Sequence, residues 1–311
     1  MAPRQPPPRA DLIPFTPASG LSATNLQDAV AELAAKATLS TGPVFASVLW
    51  TGDMEEANSG DEPSDWYHPS TQLDGDYGGW IEVESGATVV RSSTVAHAGT
   101  YSARKQIPGT TYSGAGLIRW RETSEHQRVL IESWNYLPAA YTIGGSGYGV
   151  LERFNSERSA DDVWASSWVL GWTNPSAGVM RPEILWELPR TLTDGDLDKT
   201  PPDSLTVTDG TGALRSYDAH PSTSVTFSDF PIAQWYKSTW DIKQAPRSLT
   251  GHLRWYLNDV LQFELLNVRT ALPNTATAWG AWNHYSNEMY GEDLGGTVTS
   301  YTDDARIGLP A

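Results

Sequence analysis

The stretch Gly251-His-Leu-Arg-Trp-Tyr-Leu-Asn-Asp-Val-Leu-Gln-Phe-Glu-Leu265 indicates the fold more clearly than any other part of the chain. Leu253, Trp255 and Leu257 alternate with polar or amphipathic residues, which is the period of a half-buried strand. Asn258-Asp259 then turns the chain into a second apolar run, in place of the more usual Asn-Gly. These residues predict a β-hairpin.

Further strand-like segments lie upstream of this hairpin, rich in β-branched and aromatic residues and separated by turn residues. They span residues 101–107, 129–136, 163–170 and 235–242. No long helical period follows residue 46, and the sequence has no repeat of fixed period that would indicate a propeller or solenoid. The chain is therefore predicted to be mainly β, an antiparallel sandwich or jelly roll, with long loops over 173–230.

The charge balance of the chain limits its partners. The 311 residues include 37 acidic and 21 basic side chains, which gives a net charge of -16. Binding to nucleic acid needs a basic face, so nucleic acid is excluded as a partner. Cysteine is absent, which excludes disulfides, zinc–thiolate sites and thiol nucleophiles. No apolar run is long enough to cross a bilayer, so we expect no membrane insertion.

The first 46 residues differ in character from the rest. Residues 1–21 are rich in proline and predict an extended arm. Residues 22–37 predict a helix that begins with a capping box of Thr24 and Gln27. Its apolar stripe consists of Leu26, Val30, Leu33 and Ala37. A helix this short is marginal alone in water, so the stripe predicts self-association. Residues 38–46 form a linker with a Gly-Pro breaker.

The run Ser22-Ala-Thr-Asn-Leu-Gln-Asp-Ala-Val-Ala-Glu-Leu33, after Phe15-Thr-Pro17, resembles a short motif near the ends of many bacteriophage tail-fibre and tail-tip proteins. There the motif forms part of a trimeric connector that holds a receptor-facing domain. The resemblance implies a homo-oligomer, a trimer before a dimer, on the virion tail or tail tip outside the host cell. It also implies that the N-terminal arm contacts other tail proteins. A generic amphipathic helix is the alternative.

Segments spread over residues 47–311 resemble the jelly-roll domain of polysaccharide lyases of the heparin-lyase and glucuronan-lyase type and of related carbohydrate-binding modules. The matching segments are residues 52–56 with Trp66, 93–104, 121–122, 132–138, 251–259 and 303–308. The resemblance implies one jelly-roll glycan-binding domain over 47–311. It also implies a structural Ca²⁺ between the terminal strands, with Glu55 and Asp304 as ligands. A solvated acidic edge is the alternative.

Trp and Tyr, the aromatic residues that carry a hydrogen-bonding group, outnumber Phe, with 14 Trp and 13 Tyr against 6 Phe. Their rings can stack on sugars and leave the hydroxyls to polar neighbours. The candidate rings are Trp134, Tyr136, Trp164, Trp168, Trp172, Trp235, Trp240, Trp279, Trp282 and Tyr285. We expect about half of them in the core and Trp279 to Tyr285 in an exposed loop. Arg121 is a candidate sugar contact, and with Arg104, Arg119 and Lys237 it could form a basic patch.

The sequence singles out no catalytic residues. Lyase chemistry needs a base and a group that neutralises the uronate, but residues 168–174 contain neither Gln nor His where the lyases carry them. His97 is interpreted as a turn residue. The prediction is therefore a virion structural protein, a tail fibre or minor tail protein, that displays a jelly roll to bind host surface glycan. The alternatives are a polysaccharide lyase or depolymerase, and a decoration protein without sugar binding.

Overall fold

The computed structural model describes residues 42–55, 79–83, 86–109, 113–119, 128–145, 147–158, 163–187, 215–217, 227–243, 251–268 and 284–311. The strands are β1 (Phe45–Gly52), β2 (Gly79–Val83), β3 (Thr88–Ser92), β4 (Ser102–Ile107), β5 (Ser113–Arg119), β6 (Arg128–Tyr136), β7 (Tyr148–Arg158), β8 (Val163–Thr173), β9 (Arg181–Glu187), β10 (Arg215–Tyr217), β11 (Trp235–Lys243), β12 (Gly251–Leu257), β13 (Val260–Val268), β14 (His284–Glu292) and β15 (Val298–Pro310). The predicted arm (1–21) and helix (22–37) lie outside these residues. Within them, no helix is long and apolar enough to cross a membrane.

The strands form two antiparallel sheets. One sheet has the order β13-β12-β11-β6-β15-β4-β3, and β1 joins it by pairing with β15. The other has the order β10-β9-β8-β7-β14-β5-β2. The long crossovers between strands that are neighbours in space, such as β6 with β15 and β7 with β14, are those of a jelly roll. The predicted fold class, a mainly β antiparallel jelly-roll sandwich, is confirmed.

The β-hairpin predicted over residues 251–265 is present in the structure. Strands β12 and β13 pair from Leu257 opposite Val260 outward. Asn258 and Asp259 both take positive φ, 51° and 65°, and both central residues of a type I′ turn need this conformation. The Asn258 side chain also accepts a hydrogen bond from the Lys237 amide at 2.8 Å. Asn tolerates the left-handed region, so this turn works without glycine.

The prediction of long loops over 173–230 is wrong at two described segments, β9 and β10. Residues 181–187 form β9, which pairs with β8 along its length and with β10 at Ile184 to Trp186. Pro182 weakened the strand signal, because proline cannot donate to a central ladder. In the structure Pro182 pairs with Trp172 on β8, and among the described residues β10 pairs only with Ile184 to Trp186, so no described strand needs a hydrogen bond from Pro182 on that side.

The core lies between the two sheets and is rich in large aromatic side chains. Trp168, Trp172, Trp240 and Trp255 are fully buried there. Phe154 packs edge-on against Trp240 at a centroid distance of 4.7 Å. Rings of this size bury more apolar area than aliphatic side chains and dominate the packing energy.

A network of buried polar side chains crosses this core. The Lys105 ammonium on β4 donates to the side chains of Asn287 and, at 2.8 Å, Thr302. The Glu152 carboxylate on β7 accepts from Ser238 at 3.0 Å. Burial lowers the pKa of Lys105 to about 7, against the raising effect of Glu152. Burial likewise raises the pKa of Glu152 to about 7. Both sheets thus contribute an ionisable group to the interior.

Candidate functional site

The outer face of the eight-stranded sheet carries a row of side chains that crosses four strands. Trp235 on β11 pairs with Tyr136 on β6, which pairs with Tyr301 on β15. Tyr301 pairs in turn with Arg104 on β4. Because directly paired residues point to the same face of a sheet, these four side chains lie side by side, away from the core.

Trp134 and His97 extend this row into a cluster. The His97 ring stacks on Trp134 at a centroid distance of 3.8 Å and an angle of 15°, and it meets Trp235 edge-on at 5.7 Å. Tyr136 lies 5.5 Å from Trp235 and 5.9 Å from Tyr301, between centroids. We call these five residues the aromatic face. Tyr301 is buried, but the other four remain partly exposed.

An open cleft adjoins the aromatic face, with a volume of about 440 Å³. It lies beside β15, between the part of that strand that pairs with β4 and the part that pairs with β1. Its lining residues are Thr51, Gly52, Asp53, His97, Trp134, Asp304, Ala305 and Arg306. Aromatic, acidic and basic groups therefore converge on one concave region, as small-molecule sites require.

A β-bulge in β15 aims two carboxylates at the His97 loop. The register of β15 against β6 shifts between Asp303 and Arg306, and Asp304 takes the positive φ of 44°. Asp303 accepts the His97 backbone N–H at 2.8 Å, while Asp304 lies 2.6 Å from His97 Nδ1. Burial raises the pKa of Asp303 to about 6, against the amide hydrogen bonds. Bulges of this kind re-aim side chains beside functional sites.

Most cations around the aromatic face are paired with carboxylates. Arg306 forms an ion pair with Glu132, and Lys237 lies 3.6 Å from Glu132 and 2.7 Å from Asp259. The Lys237 ammonium is also 6.0 Å from the centre of the Trp134 ring, within reach of a weak cation–π contact. These pairs fix the side chains that border the rings.

A second ionic network occupies the far end of the same outer face. The buried carboxylate of Asp241 pairs with Arg128 at 2.7 Å, His252 at 2.9 Å and Arg254 at 3.4 Å. Arg254 also contacts Glu264 at 2.7 Å. Burial alone would raise the pKa of Asp241, but hydrogen bonds from Arg128 and His252 outweigh it and hold the pKa well below its usual value. The network links β6, β11, β12 and β13.

The outer face of the seven-stranded sheet has a smaller polar and aromatic group. Arg153 forms an ion pair with Glu288 at 3.1 Å and lies 5.0 Å from the centre of the Tyr290 ring. Tyr148 and Tyr290 are 5.8 Å apart. This group provides a natural comparison for the aromatic face, because it offers rings and charges on the opposite side of the sandwich.

The two predicted calcium ligands bind different partners within the protein. Glu55 accepts the backbone N–H groups of Thr100 and Tyr101 at 2.8 and 2.7 Å, whereas Asp304 binds His97. Calcium takes six to eight oxygen ligands, and no group of three or more metal-binding side chains occurs in the described parts of the chain. Calcium binding stays a prediction, and thermal unfolding with and without a chelator tests it.

The predicted sugar-stacking residues fall into three groups. Trp134, Tyr136 and Trp235 lie on the aromatic face and are partly exposed. Trp168, Trp172, Trp240 and Tyr285 are buried in the core, so for them the prediction is corrected: a ring without exposed surface cannot stack on a ligand. The other predicted site residues lie outside the described residues, namely Trp279, Trp282, Arg121, Leu26, Val30, Leu33 and Ala37.

Sequence reasoning missed the role of one residue in this site. His97 is more than a turn residue, because its ring joins the aromatic face and its backbone anchors the loop to β15. The pairing of β4, β6 and β15 brings it to Trp134, and no local pattern shows this long-range pairing. Trp235 and Lys237 could be found from the sequence, because they alternate with buried Tyr236 on β11.

The sequence matches no protein-family model and no curated protein. Solved structures do resemble the chain. The endo-β-1,4-glucuronan lyase from the fungus Trichoderma reesei has a TM-score of 0.50 at 12% identity, over 85% of this chain and 96% of that one. The cellulose-induced protein Cip1 has a TM-score of 0.44 at 14% identity, over 75% and 90%.

The alginate lyase vAL-1 from a Chlorella virus has a TM-score of 0.44 at 9% identity, over 81% of this chain and 98% of that one. At such low identity the likeness to the glucuronan lyase concerns the fold alone. The fold is that of a jelly-roll β-sandwich.

Proposed function

We propose that this protein binds glycan through the aromatic face and the adjoining cleft. The observation that carries the proposal is the set of partly exposed rings, Trp134, Tyr136 and Trp235, side by side on a sheet whose other face is core. Exposed rings on a rigid sheet offer flat apolar surfaces of the kind that pyranose rings cover, and the polar groups of the cleft can bind hydroxyls.

The test is binding of the full chain to a panel of polysaccharides, with substitutions on each face of the sandwich. Trp235→Ala should weaken binding to the recognised glycan by about tenfold or more, because a few aromatic anchor residues contribute most of the binding energy at such sites. Tyr290→Ala removes a ring from the opposite outer face and should leave the affinity unchanged. The reverse result would place the site on the seven-stranded sheet and contradict the proposal.

The proposed setting of this binding is the tail of a phage virion, as a tail fibre or minor tail protein that recognises host surface glycan. Support comes from the resemblance of residues 22–33 to the tail connector motif, which lies outside the described residues. In this setting residues 1–37 assemble and attach the protein, and the jelly roll faces the host. If no glycan binds while the protein still incorporates into particles, it is a decoration protein.

Cleavage of the glycan is the alternative to binding, because the fold resembles that of a glucuronan lyase. His97, oriented by Asp304 at the cleft, is one described group that could accept a proton there. A lyase produces unsaturated uronates, which absorb in the ultraviolet. Growth of this absorbance when the protein is mixed with glucuronan or alginate would replace the binding proposal with a depolymerase.

A further inference from the structure

We propose that Arg104 forms an anion subsite at the end of the aromatic face, where it binds the carboxylate of an acidic sugar. This inference rests on the proposed glycan binding and specifies the class of glycan. The inference rests on three observations: the position of Arg104, the absence of a hydrogen-bond acceptor for its Nε atom, and the ion pairs that neighbouring cations form with carboxylates.

The position of Arg104 continues the row of rings. It pairs with Tyr301 on one side and with Val90 on the other. Strands are about 4.8 Å apart in a sheet, so Arg104 lies one strand from Tyr301 and three strands from Trp235. A sugar chain that crosses the strands over Trp235 and Tyr136 is therefore led towards the guanidinium.

The Arg104 guanidinium is not satisfied within the protein. Its Nε atom is buried and has no hydrogen-bond acceptor, although the side chain as a whole is partly exposed. A buried donor left unpaired is costly and calls for an explanation. A bound carboxylate supplies one, because two oxygens can accept from Nε and a terminal nitrogen together, the bidentate geometry that arginine favours.

Four other cations on this outer face have carboxylate partners. Arg306 and Lys237 share Glu132, and Arg128 and Arg254 share Asp241. In a chain with 37 acidic and 21 basic groups, pairing is the expected state of an arginine, and Arg104 departs from it beside the candidate site.

The net charge of -16 opposes acidic ligands only at long range. At physiological ionic strength, interactions between exposed charges are screened beyond about 8 Å. A direct contact with Arg104 therefore decides the preference. The expected result is selectivity for acidic over neutral forms of one sugar chain at such salt, with a smaller gap at high salt.

The experiment compares matched polymers that differ only in charge. Neutral polysaccharides and the same polymers after oxidation of C6 to the carboxylate are titrated against the full chain, with a C6-sulfated form as a third arm. The wild-type protein should bind the oxidised form about tenfold more tightly than the neutral form. A preference for the sulfated form alone would overturn the assignment of a carboxylate.

Substitutions separate the contribution of Arg104 to binding from that of the aromatic rings. Arg104→Gln should weaken binding of the oxidised polymer more than binding of the neutral polymer and so remove most of the preference. Arg104→Lys keeps the charge but loses the bidentate geometry, so it should keep only part of the preference. Arg181→Gln is the matched control, because Arg181 pairs with Asp229 on the other sheet. Unchanged melting temperatures establish that the variants fold.

The outcomes of these measurements distinguish the anion subsite at Arg104 from the glycan binding on which it rests. If Trp235→Ala weakens binding but Arg104→Gln keeps the full preference for the oxidised form, or if the wild type has no such preference, the anion subsite is wrong and glycan binding stands. If no polymer of the panel binds, or Trp235→Ala has no effect, glycan binding at this face fails and the subsite with it.

Discussion

Trp134 and Trp168 both lie inside strands, yet one faces the solvent and the other the core. The alternation of each strand explains the difference. Trp134 shares its face of β6 with Glu132 and Tyr136, whereas Trp168 shares its face of β8 with Leu170 and Trp172. A stricter use of the two-residue period would have predicted from the sequence which of these rings is buried and which is exposed. Nothing local marks His97, because its neighbours come from distant strands.

The buried pair Lys105 and Glu152 predicts an unusual pH dependence of stability. Glu152 keeps its proton in the folded state up to about pH 7, whereas an unfolded glutamate loses it near 4.5, so this group's contribution falls by about 3 kcal/mol between these values. Lys105 loses its proton near pH 7 when folded, but near 10.5 when unfolded, so its contribution rises again above pH 7. The pair's contribution is therefore lowest near pH 7.

Chemical unfolding of the wild type and of Glu152→Gln from pH 5 to 10 tests this prediction. The fall between pH 5 and 7 should be smaller in the variant. The rise should begin at lower pH, because Lys105 then lacks the acid that raises its pKa. Asp229→Asn, at an exposed ion pair, is the control and should follow the wild-type profile. Parallel profiles for the wild type and Glu152→Gln would contradict the prediction.

At the scale of elements, β15 connects most of the site. It pairs with β6 along one edge and with β4 and then β1 along the other, and its bulge aims Asp304 at His97. The sequence predicted the hairpin of β12 and β13 because its turn residues and its alternation of apolar and polar residues lie within one short segment. It could not predict the bulge, since only pairing with a partner defines an extra residue in a strand.

The ionic network across β6, β11 and β12 should stabilise this sheet. Asp241→Asn removes the buried charge that Arg128, His252 and Arg254 share, and we expect the free energy of unfolding at pH 7 to fall by about 2–3 kcal/mol. Because the pKa of Asp241 is lowered in the folded state, its stabilisation is present above pH 4 and is lost at lower pH.

Unfolding curves of the wild type and Asp241→Asn at pH 7 and below pH 4 measure both effects. The difference between the two proteins should shrink at the lower pH. Asp229→Asn again provides the comparison, since its exposed ion pair with Arg181 should contribute less than about 1 kcal/mol. Equal losses for the two variants at pH 7 would show that burial of Asp241 adds nothing.

At the scale of the whole molecule, the sequence predicted one mainly β domain with an assembly segment before it. The mainly β fold class is confirmed by the two antiparallel sheets, and it was predictable because many short alternating strands are compatible with few other architectures. The aromatic face could be predicted only in part, since it depends on which strands become neighbours. The assembly of the first 46 residues stays a prediction.

The mass of the full chain in solution tests that assembly. We expect a trimer of the wild type and a monomer of the double variant Val30→Asp, Leu33→Asp, because charges on the apolar stripe oppose helix association. Glu32→Gln, outside the stripe, should keep the wild-type mass. A monomeric wild type at micromolar concentration would contradict the connector hypothesis, and a dimer would correct its stoichiometry.

The pairing of β1 with the end of β15 determines how the sandwich would carry a mechanical load. Phe45 pairs with Pro310, and the Ala311 amide donates to Val44 at 2.8 Å, whereas Tyr301 lies about 25 to 30 Å further along β15. Tension between residue 42 and a ligand on the rings would pull β1 lengthwise. The β1–β15 ladder would then be strained in shear, with its hydrogen bonds loaded together, and the domain would resist detachment better than if they opened one by one.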